Sequence, residues 1–540
     1  MPDDTADRRP CDDQGQPAGC SGRAGCVYLI GAGPGDPGLI TWRGVQLLRQ
    51  ADLVLYDYLA NPELLDHAAV HAERICLGQH GRIAQQGRIA QWSPEQIHQR
   101  MIDGARSGAL VVRLKGGDAS IFGRLADELA ALRQAGVAYE VVPGLTAALA
   151  APAYAGIPLT DRSSASAVAL ITAQQQPLAD GSASLDYDAL ARFPGTLVFY
   201  MGVTEVGTWS GKLLQAGKPA DTPVAMIRHC SLPRQEVAVC RLDEVAEQVR
   251  LRRLRPPVLF VCGDVVHSRD ELGWFEQRSL FGRRVLVTRP GHQRSALGDL
   301  LQQRGAEVWY WGAIEIGPPD DWGPVDRALD QLDSYAWVVF SSANGVTRFL
   351  DRCWDRGGDA RRLNGVRIAA IGPGTARSLE GYRLRADLVP DEYQAEGLAA
   401  ALAPHVAGRR VLLVRASRGR EVLAESLRAA GAEVDQVVAY SSRDSSVVDP
   451  RIAQAIASGT CDWVTVTSSA IARSLVQQFG ADLKRCRLVS ISSITSATLR
   501  ELGADVAAEA REATMEGVVT AMEQAEAESA RRPDTSESPS

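Results

Sequence analysis

The stretch CVYLIGAGPGDPGLITWRGVQLLRQADLVLYD, Cys26 to Asp57, decides how the first half of the chain is to be read. An apolar strand runs into Gly31, Gly33 and Gly35, and a helix follows. A dinucleotide fingerprint of this shape needs G-x-G-x-x-G, with its third glycine at position 36. That position is Asp36, a carboxylate where a pyrophosphate would approach the helix N-terminus. Pro34 also removes a backbone N–H that phosphate binding uses. Two readings remain: an ordinary tight turn, or a ligand turn of another kind, whose glycines let a small molecule lie against the backbone.

Working outward, 540 residues exceed one domain, and three or four are expected. A hydrophobic content of 45% with 23% charged residues suits a globular chain with large cores. No apolar run reaches the ~18 residues of a membrane span. Residues 1–25 lack the apolar core of a signal peptide, and they and residues 523–540 are expected as disordered tails. The ten cysteines form no C-x-x-C pair, and most, such as Cys26, Cys262 and Cys461, fall in apolar strands. They read as reduced core residues of a cytoplasmic protein, with no metal site. The net charge of −7 gives no support for nucleic-acid binding. Only four of the 58 basic residues are lysines, so a single arginine says little about function.

Short Val/Leu/Ile strands alternate with Ala/Leu/Arg helices throughout, which predicts an α/β class. A linker is expected at 268–282, SRDELGWFEQRSLFG, dividing the chain into two halves. The second half repeats a unit of strand, small or hydroxyl-bearing turn, and helix, at 285–308, 337–352, 367–384, 411–434, 463–480 and 488–506. The first and fourth units match, as do the second and fifth, and the third and sixth. This reads as two copies of a three-unit domain. Hydroxyls after each strand lie where open α/β sheets take ligands, although helix capping is their commoner role. In the first half, GRIAQ occurs twice within 81–91, as a small tandem duplication in a loop.

The first half carries VVRLKGGDASIFGR (111–124), YEVVPGLTAALAAPAYAGIPLTDR (139–162), GTLVFYMGV (195–203) and TPVAMI (222–227). In order and spacing these blocks resemble the uroporphyrinogen-III C-methyltransferases of the tetrapyrrole methylase family. Residues 26–267 are then two α/β subdomains split near 143. VTRP, FSSANGV, AIGPGTA, the strand ending at Tyr440, TVTSSA and MEGVV resemble uroporphyrinogen-III synthase over 283–522, a pair of flavodoxin-like α/β lobes.

The resemblance implies that the GAGPGD turn serves S-adenosylmethionine. It places Pro34, Gly116, Gly117, Asp118, Ile121, Thr146, Ala147 and Met201 around that cofactor. Two glycines permit close backbone approach, and a carboxylate at 118 suits a ribose or amino group. Arg124 would face a tetrapyrrole rich in carboxylates, for which a guanidinium fork is suited. Asp57 falls on the family's proton acceptor. The family's glycine-rich acidic run reads LADE here, with Asp127 one methylene shorter than the usual glutamate. Its proton-donor lysine is matched by Gln79, and an amide cannot act as that acid. Tyr440 matches a tyrosine near the synthase cleft, where Ser342, Thr375, Ser468 and Thr495 also fall. The synthase half implies no cofactor. The expectation is a cytoplasmic bifunctional enzyme, dimeric through its methylase half. A synthase with a degenerate methylase half and a non-catalytic tetrapyrrole-binding regulator are the alternatives that Gln79 and Asp127 leave open.

Overall fold

Strand β1 (Cys26–Gly31) is buried along its whole length, as an apolar run flanked by parallel neighbours requires. The structure, a computed structural model, describes residues 25–78, 92–174, 185–288, 296–419, 421–445 and 447–531. Gln79 and the duplicated GRIAQ lie outside them. The chain divides into two compact units, one running to Arg284 and one starting at Val285, with Gly298–Val308 and the residues from Glu526 grouped with the first.

In the first unit, β2 (Leu53–Tyr56), β3 (Glu73–Cys76), β4 (Leu110–Lys115) and β5 (Ala138–Val142) join β1 in a parallel sheet of order β3-β2-β4-β1-β5. β1 and β4 are neighbours, with Gly31 opposite Lys115. Their onward connections run in opposite directions across the sheet, which makes their carboxyl edge a switch point of the kind that takes ligands. A second, mixed sheet follows, of β6 (Val168–Thr172), β7 (Thr196–Tyr200), β8 (Pro223–Arg228), β9 (Glu236–Arg241) and β10 (Val258–Cys262), in the order β6-β7-β10-β8-β9. Its core is built on Trp209, fully buried, stacked 4.4 Å from Phe199 and edge-on at 5.3 Å to Phe260. The Trp209 indole N–H donates to Gly202 O at 3.1 Å and so holds the turn just beyond β7. The stretch expected as a linker, 268–282, contains the helix Arg269–Leu272 and buries Phe275 and Leu280.

In the second half of the chain, β11 (Arg284–Val287), β12 (Glu307–Tyr310), β18 (Trp463–Val466), β19 (Arg487–Ser490) and β20 (Ala508–Glu509) form a sheet of order β12-β11-β18-β19-β20. The other sheet has β13 (Ile314–Gly317), β14 (Trp337–Phe340), β15 (Arg367–Ala370), β16 (Arg410–Ala416) and β17 (Glu433–Asp444), in the order β13-β17-β16-β14-β15. The matched repeat units take equivalent places, with β11-β18-β19 in one sheet answering to β16-β14-β15 in the other. The lobes are nevertheless not consecutive copies. The first unit of the series sits with the fifth and sixth, and the fourth with the second and third. The C-terminal helix Met515–Arg531 runs well past residue 523, where a tail was expected. Among the described residues no helix is long and apolar enough to cross a membrane.

Three backbones meet at the carboxyl edge of the first sheet. A Cβ built on Gly144 would lie 2.4 Å from Gly117 O and 2.6 Å from Gly31 Cα, closer than packed atoms approach. Overpacking costs about 1–3 kcal/mol even where side chains can shift, and backbone yields less. Gly144→Ala is therefore expected to lower the melting temperature of the first unit by about 5 °C. An unchanged calorimetric transition would show that the three segments can part freely.

Candidate active site

Two turns that face one another make the floor of the site. Beyond β1 and β4, Gly33 N–H donates to Gly117 O at 3.1 Å and Gly117 N–H to Gly33 O at 2.8 Å. Both glycines are left-handed, with φ of 78° and 67°, where a side chain would be strained. A Cβ on Gly117 would meet only Ala147 N and Thr146 Cα, each at 3.8 Å, so the missing side chain leaves open space before the helix Ala147–Tyr154. Asp118 closes the turn. Its Oδ2 accepts from Gly144 N–H at 2.8 Å and its Oδ1 from Ser120 N–H at 2.7 Å. Burial raises its pKa, but a hydrogen bond from the Ser120 hydroxyl, together with the Gly144 and Ser120 N–H bonds, outweighs burial and holds it below the usual carboxylate range.

The second sheet reaches this edge through Tyr200. Its hydroxyl accepts from Ala148 N–H at 2.8 Å and shares a 2.6 Å hydrogen bond with Thr146 Oγ1. Met201, the next residue, is left-handed (φ 53°) and 42% exposed. Phe122 (φ 54°) packs edge-on to Tyr200 at 5.0 Å, and Arg124 (φ 56°) follows. Strained non-glycine residues of this sort persist only where their surroundings hold them, and they gather at ligand sites. Pro34, Gly116, Gly117, Asp118, Thr146, Ala147 and Met201 thus share one edge, with Ile121 half-buried just beyond.

Asp57 follows β2 at the same edge. Its Oδ1 accepts from Arg113 at 2.6 Å. Arg113 also donates through Nε to Glu128 Oε1 at 3.2 Å, which takes Lys115 Nζ at 2.7 Å. Arg113, Lys115 and Glu128 are 3%, 4% and 5% exposed, so two cations and one carboxylate lie buried beneath Asp57. Burial works against the Arg113 charge, but Asp57 and Glu128 outweigh it and raise its pKa. Burial and the adjacent Arg113 instead lower that of Lys115, against the pull of Glu128. Arg124 and Asp127 pair with each other at 2.9 Å, both more than half exposed.

In the second unit the ladder between β16 and β17 shifts register, with Arg415 opposite Val438 and Ala416 opposite Tyr440. Such a bulge re-aims the strand's side chains. The Tyr440 hydroxyl meets Ser342 Oγ at 2.9 Å, and Ser342 caps the helix Ala343–Asp355 by accepting from Gly345 N–H. Burial pushes the Tyr440 phenol up, with Ser342 opposing, so it remains a proton-bearing donor. Ser468 is also a cap. Thr375 and Thr495 are 5% and 2% exposed and face the core; after β19 the cap is Ser492.

Residues 26–246 match the family of tetrapyrrole (corrin/porphyrin) methylases, and residues 295–520 that of uroporphyrinogen-III synthase HemD. A porphyrin biosynthesis protein HemD of Ruminiclostridium josui is 31% identical over 471 residues, 87% of this chain and 91% of that protein. The chain belongs to this family of fused methylase and synthase. A uroporphyrinogen-III C-methyltransferase of Bacillus subtilis is 37% identical over 346 residues, 64% of this chain and 69% of that protein. An S-adenosyl-L-methionine-dependent uroporphyrinogen III methyltransferase of Methanosarcina barkeri is 41% identical over 259 residues, 48% of this chain and 98% of that protein. The fused methylase–synthase is an enzyme of tetrapyrrole biosynthesis.

Sequence reasoning missed Arg113, Lys115 and Glu128 in this methylase half. The signal was available: two cations at alternate positions of an otherwise apolar strand must face the same layer, and need a carboxylate there. Glu128→Ala leaves both cations buried without that carboxylate. Breaking a buried ion pair from one side costs about 3–5 kcal/mol, and the variant is expected to lose that much in guanidinium unfolding of the first unit. A loss below about 1 kcal/mol would place these groups in contact with solvent.

Proposed function

We propose that the C-terminal half cyclises hydroxymethylbilane to uroporphyrinogen III and that the N-terminal half methylates this product twice, to precorrin-2. The precorrin-2 would feed sirohaem or cobalamin synthesis. Cytoplasmic location and pairing through the methylase half belong to the same reading. Its main support is the glycine cradle, where Gly33 and Gly117 bind each other through backbone alone and a Cβ at Gly117 would fill the space before Ala147. S-adenosylmethionine, when bound, supplies an electrophilic methyl group. Gly116, Gly117 and Pro34 would hold it against backbone, with Asp118, Ile121, Thr146, Ala147 and Met201 around it.

Asp57 would act as the base. Arg113 occupies Oδ1, which orients the carboxylate and leaves Oδ2 to take the proton released as the pyrrole system rearranges. Arg124 would turn its fork towards substrate carboxylates. Leaving Asp127 costs little, since exposed pairs of this kind contribute about 0.2–1 kcal/mol. In the synthase half, Tyr440 would donate its proton to the departing hydroxyl of the linear substrate, with Ser342 holding the phenol in place.

The test is the full chain with hydroxymethylbilane, with and without S-adenosylmethionine, both products being followed by absorbance. Cyclisation is expected in both cases and precorrin-2 only with the methyl donor. Cyclisation without methylation would favour the degenerate methylase half. Asp57→Asn keeps the shape and removes proton acceptance, so methylation should fall about 10²–10⁴-fold at unchanged S-adenosylmethionine affinity; a fall below about threefold would assign the proton to another group. Tyr440→Phe should slow cyclisation by about 10²-fold, the scale of losing one preorganised donor, and leave methylation of added uroporphyrinogen III untouched.

A further inference from the structure

Between β10 and β11, outside the matched ranges 26–246 and 295–520, lies a connector. It is tied down far more tightly than a spacer needs. The Trp274 indole N–H donates to Ala153 O at 2.9 Å, and its ring lies 5.2 Å from that of Tyr154. Phe275, 2% exposed, meets Tyr154 edge-on at 4.8 Å. The Arg278 guanidinium covers both rings, 4.9 Å from Trp274 and 4.8 Å from Phe275.

Two routes run from here to Asp36, the last residue of the GAGPGD turn. On the first, the Tyr154 hydroxyl donates to Asp36 Oδ2 at 3.2 Å. Burial and the Asp36 charge push this phenol up to about 12, so it keeps its proton at neutral pH. On the second, Glu276 Oε1 accepts from Gln235 Nε2 at 2.9 Å and Gln235 Oε1 accepts from Ser231 N–H at 2.9 Å. Ser231 Oγ in turn accepts from Asp36 N–H at 3.0 Å. The contact is close: a Cβ on Gly35 would lie 2.9 Å from Cys230 O. Ser231 itself is held left-handed, at φ 62°.

We propose that the connector is a positioning element of the methylase. Trp274, Phe275 and Glu276 hold Tyr154 and Gln235, and through them fix Asp36 and the turn in the shape that takes S-adenosylmethionine. The inference rests on the reading of that turn as the cofactor site. It makes Tyr154 and Trp274 positioning residues, acting on affinity and not on chemistry.

The experiment is calorimetric titration of the full chain with S-adenosylmethionine, together with methylation kinetics. Tyr154→Phe removes only the hydroxyl and should weaken binding by about tenfold, as expected for a lost hydrogen bond to a charged group. The KM for S-adenosylmethionine should rise in step, with kcat within about twofold of wild type. Trp274→Ala should weaken binding at least as much, and Trp274→Phe, which keeps a ring against Tyr154, should restore most of it. Tight binding by the wild type with unaltered binding by Tyr154→Phe and Trp274→Ala overturns the inference alone. Loss of kcat without a rise in KM also overturns it, because it marks general damage. No binding by the wild type overturns the cofactor reading and the inference with it.

Discussion

The two hydrogen bonds between Gly33 and Gly117 are the constraint on which the methylase half depends. They join the ends of β1 and β4, the two central strands whose connections leave in opposite directions. Parallel strands diverge beyond their last ladder bond, and the turns that follow are normally free to find separate places. Here they are locked together, and Gly144 is pressed against both. Only glycine allows that, because any Cβ at Gly31 or Gly144 would sit inside a neighbour's backbone. The result is a platform of peptide groups, bounded by Asp118 and the start of the helix Ala147–Tyr154. A cofactor that exposes one methyl group needs such a platform, since positioning supplies much of the rate.

The buried charges beneath Asp57 answer a different need. Taking Arg113, Lys115 and Glu128 out of water is costly, and apolar residues of similar volume would serve stability as well or better. What apolar residues could not do is orient a carboxylate at the rim. Arg113 is fixed on one side by Glu128 and on the other by its own strand, since it also donates to Leu114 O at 3.2 Å. Its Nη2 is thereby aimed one way, and Asp57 meets it there. Burial is what makes the guanidinium a fixed support, because an exposed one would move with its side chain.

Much of this was legible in the sequence, and what was missed has a physical reason. Local chemistry reads well: strands, glycine turns and the hydroxyl caps at Ser342 and Ser468 depend on neighbours within a few positions. Partnership across distance does not. Arg113 and Lys115 announce that a carboxylate must meet them but not that it is Glu128, and Tyr154 and Asp36 are 118 positions apart. The repeats of the second half gave correct equivalences, β11 with β16, β18 with β14 and β19 with β15. They could not say which units share a sheet, because similar units compete for the same neighbours and only the connections decide. The stretch 268–282 reads as a linker because it falls between the strands of the two halves, and what its position does not announce is that the Trp274 and Phe275 rings pack on one another and that Phe275 is buried.

The two halves use the same architecture, the carboxyl edge of parallel strands, for chemistries with different demands. On the proposed reading, methyl transfer to carbon needs a donor held in line and a base held at a distance, and the glycine turns on one side and the supported Asp57 carboxylate on the other would meet those needs. Ring closure after loss of hydroxide needs a donor at the leaving group and a surface that lets a flexible chain fold upon itself. The second unit supplies helix N-termini capped by their own serines and one buried phenol aimed by a bulge. Capping serines are interchangeable with threonine, aspartate or asparagine at small cost, whereas left-handed glycines and a buried arginine are not.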